Sequence, residues 1–235
     1  MQNKKPFLRR LLAIYITFFA VIIADLALEV GPGFKQGWSD GNEMGTDITK
    51  NWVLGAPRRI YMLENIRIAA GPGIELQTKP GTQITTQVRK IGLTIEEEAP
   101  GASILSLAFG SIGGNGWIYL AVMLCGVAYL AIIVSMFLII HSLRCSIREE
   151  KPLRRHNVGL LRLIGALAIA TELIDDLVSW TMSSRAAELL AGSGYTVDTA
   201  FHVSYSRILM GVLILFAAEV FAVGRRLSEE QKLTI

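Results

Sequence analysis

Twenty-four consecutive residues, 117–140, carry no charged side chain, and at about 1.5 Å per residue a helix of that length crosses a hydrocarbon core of about 30 Å. No other feature limits the fold so tightly, because a helix apolar on every side needs lipid or the core of a large protein around it. The composition agrees, with 51% of the 235 residues hydrophobic and 18% charged, against roughly 25% charged in soluble domains. The formal net charge is +3, but the basic residues cluster beside apolar segments instead of forming one stripe, which argues against direct nucleic-acid binding.

Three weaker apolar segments accompany the long run: 11–28, 158–180 and 207–224. The first follows Lys4, Lys5, Arg9 and Arg10 like a signal peptide, yet Ala24-Asp25-Leu26-Ala27-Leu28-Glu29 offers no small-x-small cleavage site, so an uncleaved anchor is expected. Residues 1–10, 142–157 and 225–235 hold twelve Lys and Arg in 37 positions, whereas 31–116 holds eight in 86 and 181–206 only Arg185. The positive-inside rule then places both termini and the 142–157 loop in the cytoplasm. Trp117 and Trp180 fall at the opposite ends of their spans, at headgroup level. The expected fold class is a membrane α-helical protein with four transmembrane helices and a small extracytoplasmic β-rich insertion between the first two. The domains are then residues 1–30 with the first span, 31–116 as the insertion, and 117–235 with spans at about 117–141, 158–180 and 207–224.

The insertion is marked off by Gly-Pro-Gly at 31–33 and again at 71–73, and by Gly113-Gly114-Asn115-Gly116 before the long run. These read as flexible joints. Ile66-Arg67-Ile68, residues 74–77 and residues 83–95 alternate apolar with polar, as half-buried strands do. The phase slips between Val88 and Ile91, which predicts a bulge or turn near Arg89-Lys90. Tyr195, Val197, Phe201 and Val203 alternate in the second outer loop and predict one more strand of the same sheet. A sheet of four or five short strands needs cover for its apolar face: the membrane surface, a helix or a partner.

A charge at membrane depth costs at least about 2.5 kcal/mol on insertion scales, so each calls for a partner or a purpose. The charge-free part of the third span, 163–171, is flanked by Arg162 and by Glu172, Asp175 and Asp176; the fourth carries Arg207 and Glu219. In an antiparallel hairpin Arg162 and Glu219 both lie roughly 8 to 9 Å from the inner boundary, and Asp175, Asp176 and Arg207 roughly 27 Å from it. Two ion pairs stapling the hairpin follow. The other acids, Asp25 and Glu29 on the first span and Glu172 and Asp176 on the third, can instead form a cation or proton site, as in a small transporter or ion-linked permease subunit.

Catalytic signals are thin, with no HExxH, GxSxG or P-loop pattern. His141 and Cys145 are spaced as helix neighbours, but with His156 they make a mixed and incomplete ligand set. Cys125 and Cys145 lie roughly 30 Å apart along one helix and cannot pair. No catalytic residue, metal or cofactor is assigned. The tail begins like a capped helix at Ser228-Glu229-Glu230-Gln231 and closes on Leu233, Thr234 and Ile235, so Glu229, Glu230, Leu233 and Ile235 are candidates for partner binding.

Two stretches carry a resemblance. Lys151-Pro152-Leu153, then Asn157, then Leu160-Leu161-Arg162-Leu163-Ile164-Gly165 resembles the loop and third helix of a family of bacterial four-helix membrane proteins of unknown function. There a Gly-Pro-Phe loop, an Asn and Leu-Arg-x-Ile-Gly follow in order. Ala218-Glu219-Val220-Phe221, Gly224, Leu227, Glu229-Glu230-Gln231 and Leu233-Thr234-Ile235 are similar to that family's Ala-Glu-Ile-Phe motif and acidic ending. Leu153 and Lys232 depart from the pattern. The match covers about the last 120 residues, with no counterpart for the insertion. It implies a bacterial cytoplasmic membrane and, because members often stand beside a small helix-turn-helix regulator, a cytoplasmic DNA-binding partner. The expected function is that of a non-enzymatic sensor or signalling partner in the lipid bilayer, with homo-oligomerisation left open.

Overall fold

The computed structural model describes residues 13, 16–24, 26–71, 74–77, 83–86, 88–148 and 155–233. It contains three helices long and apolar enough to cross a membrane, spanning Gly116–Leu143, His156–Leu189 and Tyr205–Leu227. The full helices are longer: α3 is Gly116–Arg148, α4 is Arg155–Leu189 and α5 is Tyr205–Leu233. At about 1.5 Å per residue each exceeds a bilayer core of about 30 Å. Residues 16–24 are helical too, but the expected first span overlaps positions outside the described residues. Two boundaries differ from expectation. The helix holding Trp180 continues to Leu189, and α5 runs through Ser228 to Leu233 without a second cap.

The chain divides into two compact units, one of residues 1–40, 126–172 and 205–235, the other of residues 41–125 and 173–204. In the first, one seam of α3 is buried or half-buried at Ala128, Ile132, Ser135 and Ile139, at alternating four- and three-residue steps. Ile139 joins Leu160 and Ile164 of α4 in a core with Ile214 of α5 packed on it. The remaining face exposes Val127, Leu130, Val134 and Leu138. So large an apolar exposure fits lipid as the surrounding solvent. Gly165 and Gly211 mark the crossing of α4 with α5. A β-carbon at Gly211 would lie 2.6 Å from Ile169, and one at Gly165 would lie 2.7 Å from Leu215, with the facing backbone carbonyls about 3 Å away. Only glycine allows this approach.

The second unit contains a three-stranded antiparallel sheet in the order β4-β1-β5, with β1 Arg58–Ala70, β4 Lys90–Glu98 and β5 Thr196–Val197. Strands β2, Ile74–Gln77, and β3, Gln83–Thr86, form a separate two-stranded hairpin, where one larger sheet was expected. The predicted break falls between Thr86 and Lys90, where β3 ends and β4 begins. The second loop contributes its strand to β1, as Val197 opposite Ile68. One bulge escaped the pattern. Pairing shifts from Leu63 opposite Leu93 to Ile66 opposite Ile91, with Asn65 left-handed at φ 58°. The extra residue keeps Tyr61, Leu63, Ile66 and Ile68 on one apolar face.

That face is covered by helices. Tyr61, Leu63, Ile66, Ile68 and Val197 share a core with Ile118 of α3 and with Val178, Met182 and Ala186 of α4. The opposite face of β1 packs Ile60 against Met44 and Ile48 of α1, Gly31–Val53, and Leu107 of α2, Ile104–Phe109. The insertion is therefore less β-rich than expected, since its first 23 residues form α1. Gly-Pro-Gly at 31–33 is no joint: a π-helical turn, Leu26–Val30, runs directly into α1 at Gly31, so Pro32 lies inside a continuous helical run, where it removes one backbone hydrogen bond. Nor are Gly113 and Gly114 a loose hinge. Both are left-handed, at φ 66° and 71°, and a β-carbon there would press on Ile118 and on the Tyr61 ring.

Candidate functional site

Two polar assemblies stand out, one in each unit. In the sheet-bearing unit the inward face of β1 presents Tyr61, fully buried, whose hydroxyl donates to Glu97 Oε1 at 2.7 Å. Arg185 of α4 donates to the same carboxylate at 3.2 Å and to the Tyr61 oxygen at 3.4 Å. Burial first, and then the Glu97 carboxylate, push the Tyr61 phenol above its ordinary value, with Arg185 acting the other way. Arg59 precedes Tyr61 by two residues on the same strand and is the register partner of Glu97. Its Nε is buried and makes no hydrogen bond among the described residues. A cleft of about 690 Å³ lies beside this cluster, lined by Arg59, Arg185, Glu188, Asn115, Phe109 and the first residues of α3 among others.

Sequence reasoning missed this assembly. The available signal was Arg185, the single cation in its loop, which was counted for topology and given no partner. The edge strand β4 brings Glu96, Glu97 and Glu98 beside β1, and Arg58 takes Glu96 at 3.3 Å on the other face.

In the helical unit Arg162 and Glu219 meet as expected. The guanidinium donates through Nε to Oε1 at 2.8 Å and through a second nitrogen to Oε2 at 3.0 Å. Such a two-pronged pair is the strong form of arginine–carboxylate contact. At the other end of the hairpin Glu172 enters the staple. Arg207 donates to Glu172 Oε2 at 3.0 Å, one helical turn below the aspartates expected to receive it. Glu172, grouped by sequence with the unpaired acids, is thus a buried carboxylate with an arginine partner. From Arg162 to Glu172 is ten residues along α4, about 15 Å, and to Asp175 thirteen, about 19.5 Å, against twelve, about 18 Å, from Glu219 back to Arg207 along α5; depth does not select Glu172 over Asp175, and the arginine side chain absorbs the difference.

Asp176 accepts from the Ser204 backbone N–H at 3.4 Å, just before α5 begins. Asp25 lies outside the described residues, as does the side chain of Glu29, so the expected cation or proton set falls partly outside them. Of the tail candidates Glu230 is exposed, while Ile235 and the side chains of Glu229 and Leu233 lie outside the described residues. His141 stacks on Phe137 with ring centroids 6.2 Å apart.

No curated protein matches the chain, and no solved structure does. A family model described as "Protein of unknown function (DUF2975)" matches residues 85–235. The match reaches back through β3, β4 and α2, further than the two motifs that carried the resemblance. It takes in Glu97 and Arg185 of one assembly and all four residues of the paired staples, Arg162, Glu219, Glu172 and Arg207. With well over half its length covered, the chain belongs to this family of uncharacterised proteins.

Proposed function

We propose that the chain is a non-enzymatic sensor or signalling partner of a bacterial cytoplasmic membrane, its termini in the cytoplasm and its sheet-bearing unit on the other side. One observation supports the reading above all. The sheet and the turns of α3 and α4 next to it share a single apolar core, through Ile118, Val178, Met182 and Ala186. A ligand that shifts the sheet therefore shifts the helices packed on it, and both helices are continuous, over 33 and 35 residues. Interiors packed in this way transmit small displacements instead of absorbing them. The receiving end of the signal is then the cytoplasmic segment 142–157 and the tail, whose partner we take to be a small cytoplasmic DNA-binding regulator.

Single cysteines at the exposed positions Asn42 and Ser193, in a background without the native two, should label from outside intact cells, and one at His156 should not. Labelling at His156 overturns the orientation. A photo-crosslinking residue at Glu230 should then capture a discrete protein from native membranes, in an amount that changes when Leu63→Ala loosens the shared core. Capture that ignores Leu63→Ala refutes transmission through that core.

A further inference from the structure

The cleft beside Tyr61, Glu97 and Arg185 holds one unmet buried donor. The Nε of Arg59 is buried with no acceptor among the described residues, and an unmet buried donor costs free energy. Its natural counter-ion, Glu97 on the facing strand, is already engaged by Tyr61 and Arg185. The first turn of α3, a 33-residue helix, opens on the same cleft at Gly116, adding N–H groups and the positive end of a helix dipole. An anionic oxygen in the cleft would meet that donor.

The rim says what carries it. Phe109 lines the cleft and is 44% exposed; Leu105 on the same short helix is 67% exposed, and Trp117, at the start of the uncharged run, 39%. Below them α3 exposes Leu120 and Leu124. A polar cleft lined by two arginines, on elements that also expose apolar side chains, fits an amphiphile, head inward and chains along the helix. Glu188 stands on the cleft lining, exposed and with no partner among the described residues. It opposes a second negative charge on the head and favours an amine.

We propose that this cleft binds the phosphate headgroup of a membrane lipid, with Arg59 as the counter-ion of the phosphate, Glu188 selecting an amine-bearing head, and the acyl chains lying on the exposed face of α3. The site stands apart from the signalling reading, because binding is measured without any signalling output.

The test uses full-length protein, delipidated in detergent, and native mass spectrometry with three lipids of identical chains: phosphatidylethanolamine, phosphatidylglycerol and diacylglycerol. Phosphatidylethanolamine should be retained, phosphatidylglycerol less so, and diacylglycerol not. Arg59→Gln should weaken retention at least about tenfold, as loss of a charged hydrogen-bond partner does. The lipid-free Arg59→Gln protein should melt no lower than the parent, since it loses an unmet donor. Glu188→Lys, at an exposed position, should fold normally and turn the preference toward phosphatidylglycerol. Soluble glycerophosphoethanolamine is the arm for a free ester, and equal affinity for it and for the whole lipid would overturn the lipid assignment. Unchanged retention in Arg59→Gln, equal binding of diacylglycerol, or an unaltered preference in Glu188→Lys would each overturn the site.

Discussion

Replacing Arg207 by Leu removes a cation 3.0 Å from a carboxylate whose side chain is only 4% exposed. Glu172 is then left buried beside helix α5 with its counter-charge gone, and breaking a buried pair in this way costs about 3–5 kcal/mol. The converse change is milder. With Glu172→Leu the arginine remains, its side chain 67% exposed and only two residues inside the start of α5, where it can extend toward the headgroups; the loss is about 1–2 kcal/mol, that of a charge-assisted hydrogen bond. Changing both to Leu replaces the pair by apolar volume and should lie within about 1 kcal/mol of the parent. Cys125, 4% exposed, provides the assay: in a Cys145→Ser background its reaction with a thiol dye reports thermal unfolding in detergent micelles. Equal losses from the two single changes, or a double change equal to their sum, would refute the asymmetry and the pairing behind it.

The Arg162–Glu219 pair, with both side chains more than half exposed, should behave as a membrane-facing staple. Either change to Leu should lower the amount of protein accumulating in membranes and the double change restore it, and failure of the double to recover would separate the two residues. Tyr61 gives a pH dependence. Its raised folded-state pKa means that the stability it adds is whole below the unfolded value of about 10 and is lost as pH climbs through the folded value. Melting from pH 8 upward should therefore fall more steeply for the parent than for Tyr61→Phe, and parallel profiles would contradict it. Two glycines should respond with opposite signs. Gly211→Ala drives a β-carbon to 2.6 Å from Ile169 and should cost about 1–3 kcal/mol, whereas Gly41→Ala, with nothing within 4 Å, should gain about 0.5–1 kcal/mol of helix propensity; melting temperatures decide both.

How far the sequence could be read depended on the physical signal each element leaves. An uncharged run of 24 residues has few alternatives to a spanning helix, and opposite charges at matched depth in neighbouring spans led directly from Arg162 to Glu219. Depth counting fixes a position only to about one turn, so it did not single out Glu172 as a partner of Arg207. Helix α1 was hidden because glycines at 33, 37, 41 and 45 and Pro32 lower helix propensity, and its register against Ile60 is a tertiary fact. The bulge at Asn65 was invisible for a similar reason: both sides of it are apolar, so the slip of phase showed only on the partner strand near Lys90. The cluster of Tyr61, Glu97 and Arg185 joins positions up to 124 residues apart, and no local pattern records such a distance.

The placement of β5 sets an order on assembly. Strand β1 ends at Ala70 and its neighbour begins at Thr196, about 126 residues later, or roughly 6 to 25 s of synthesis at about 5–20 residues per second. Throughout that interval Ile68 and Ala70 lack the strand that pairs with them, and from residue 97 to residue 185 the Tyr61–Glu97 pair awaits Arg185. An unpaired edge invites any other extended chain nearby. The hazard ends only when the segment between α4 and α5 arrives on the same side as the sheet. A chain stalled or truncated before residue 196 would thus keep its helices α1 to α3 and its β1–β4 ladder, yet carry an adhesive edge that the finished protein does not have.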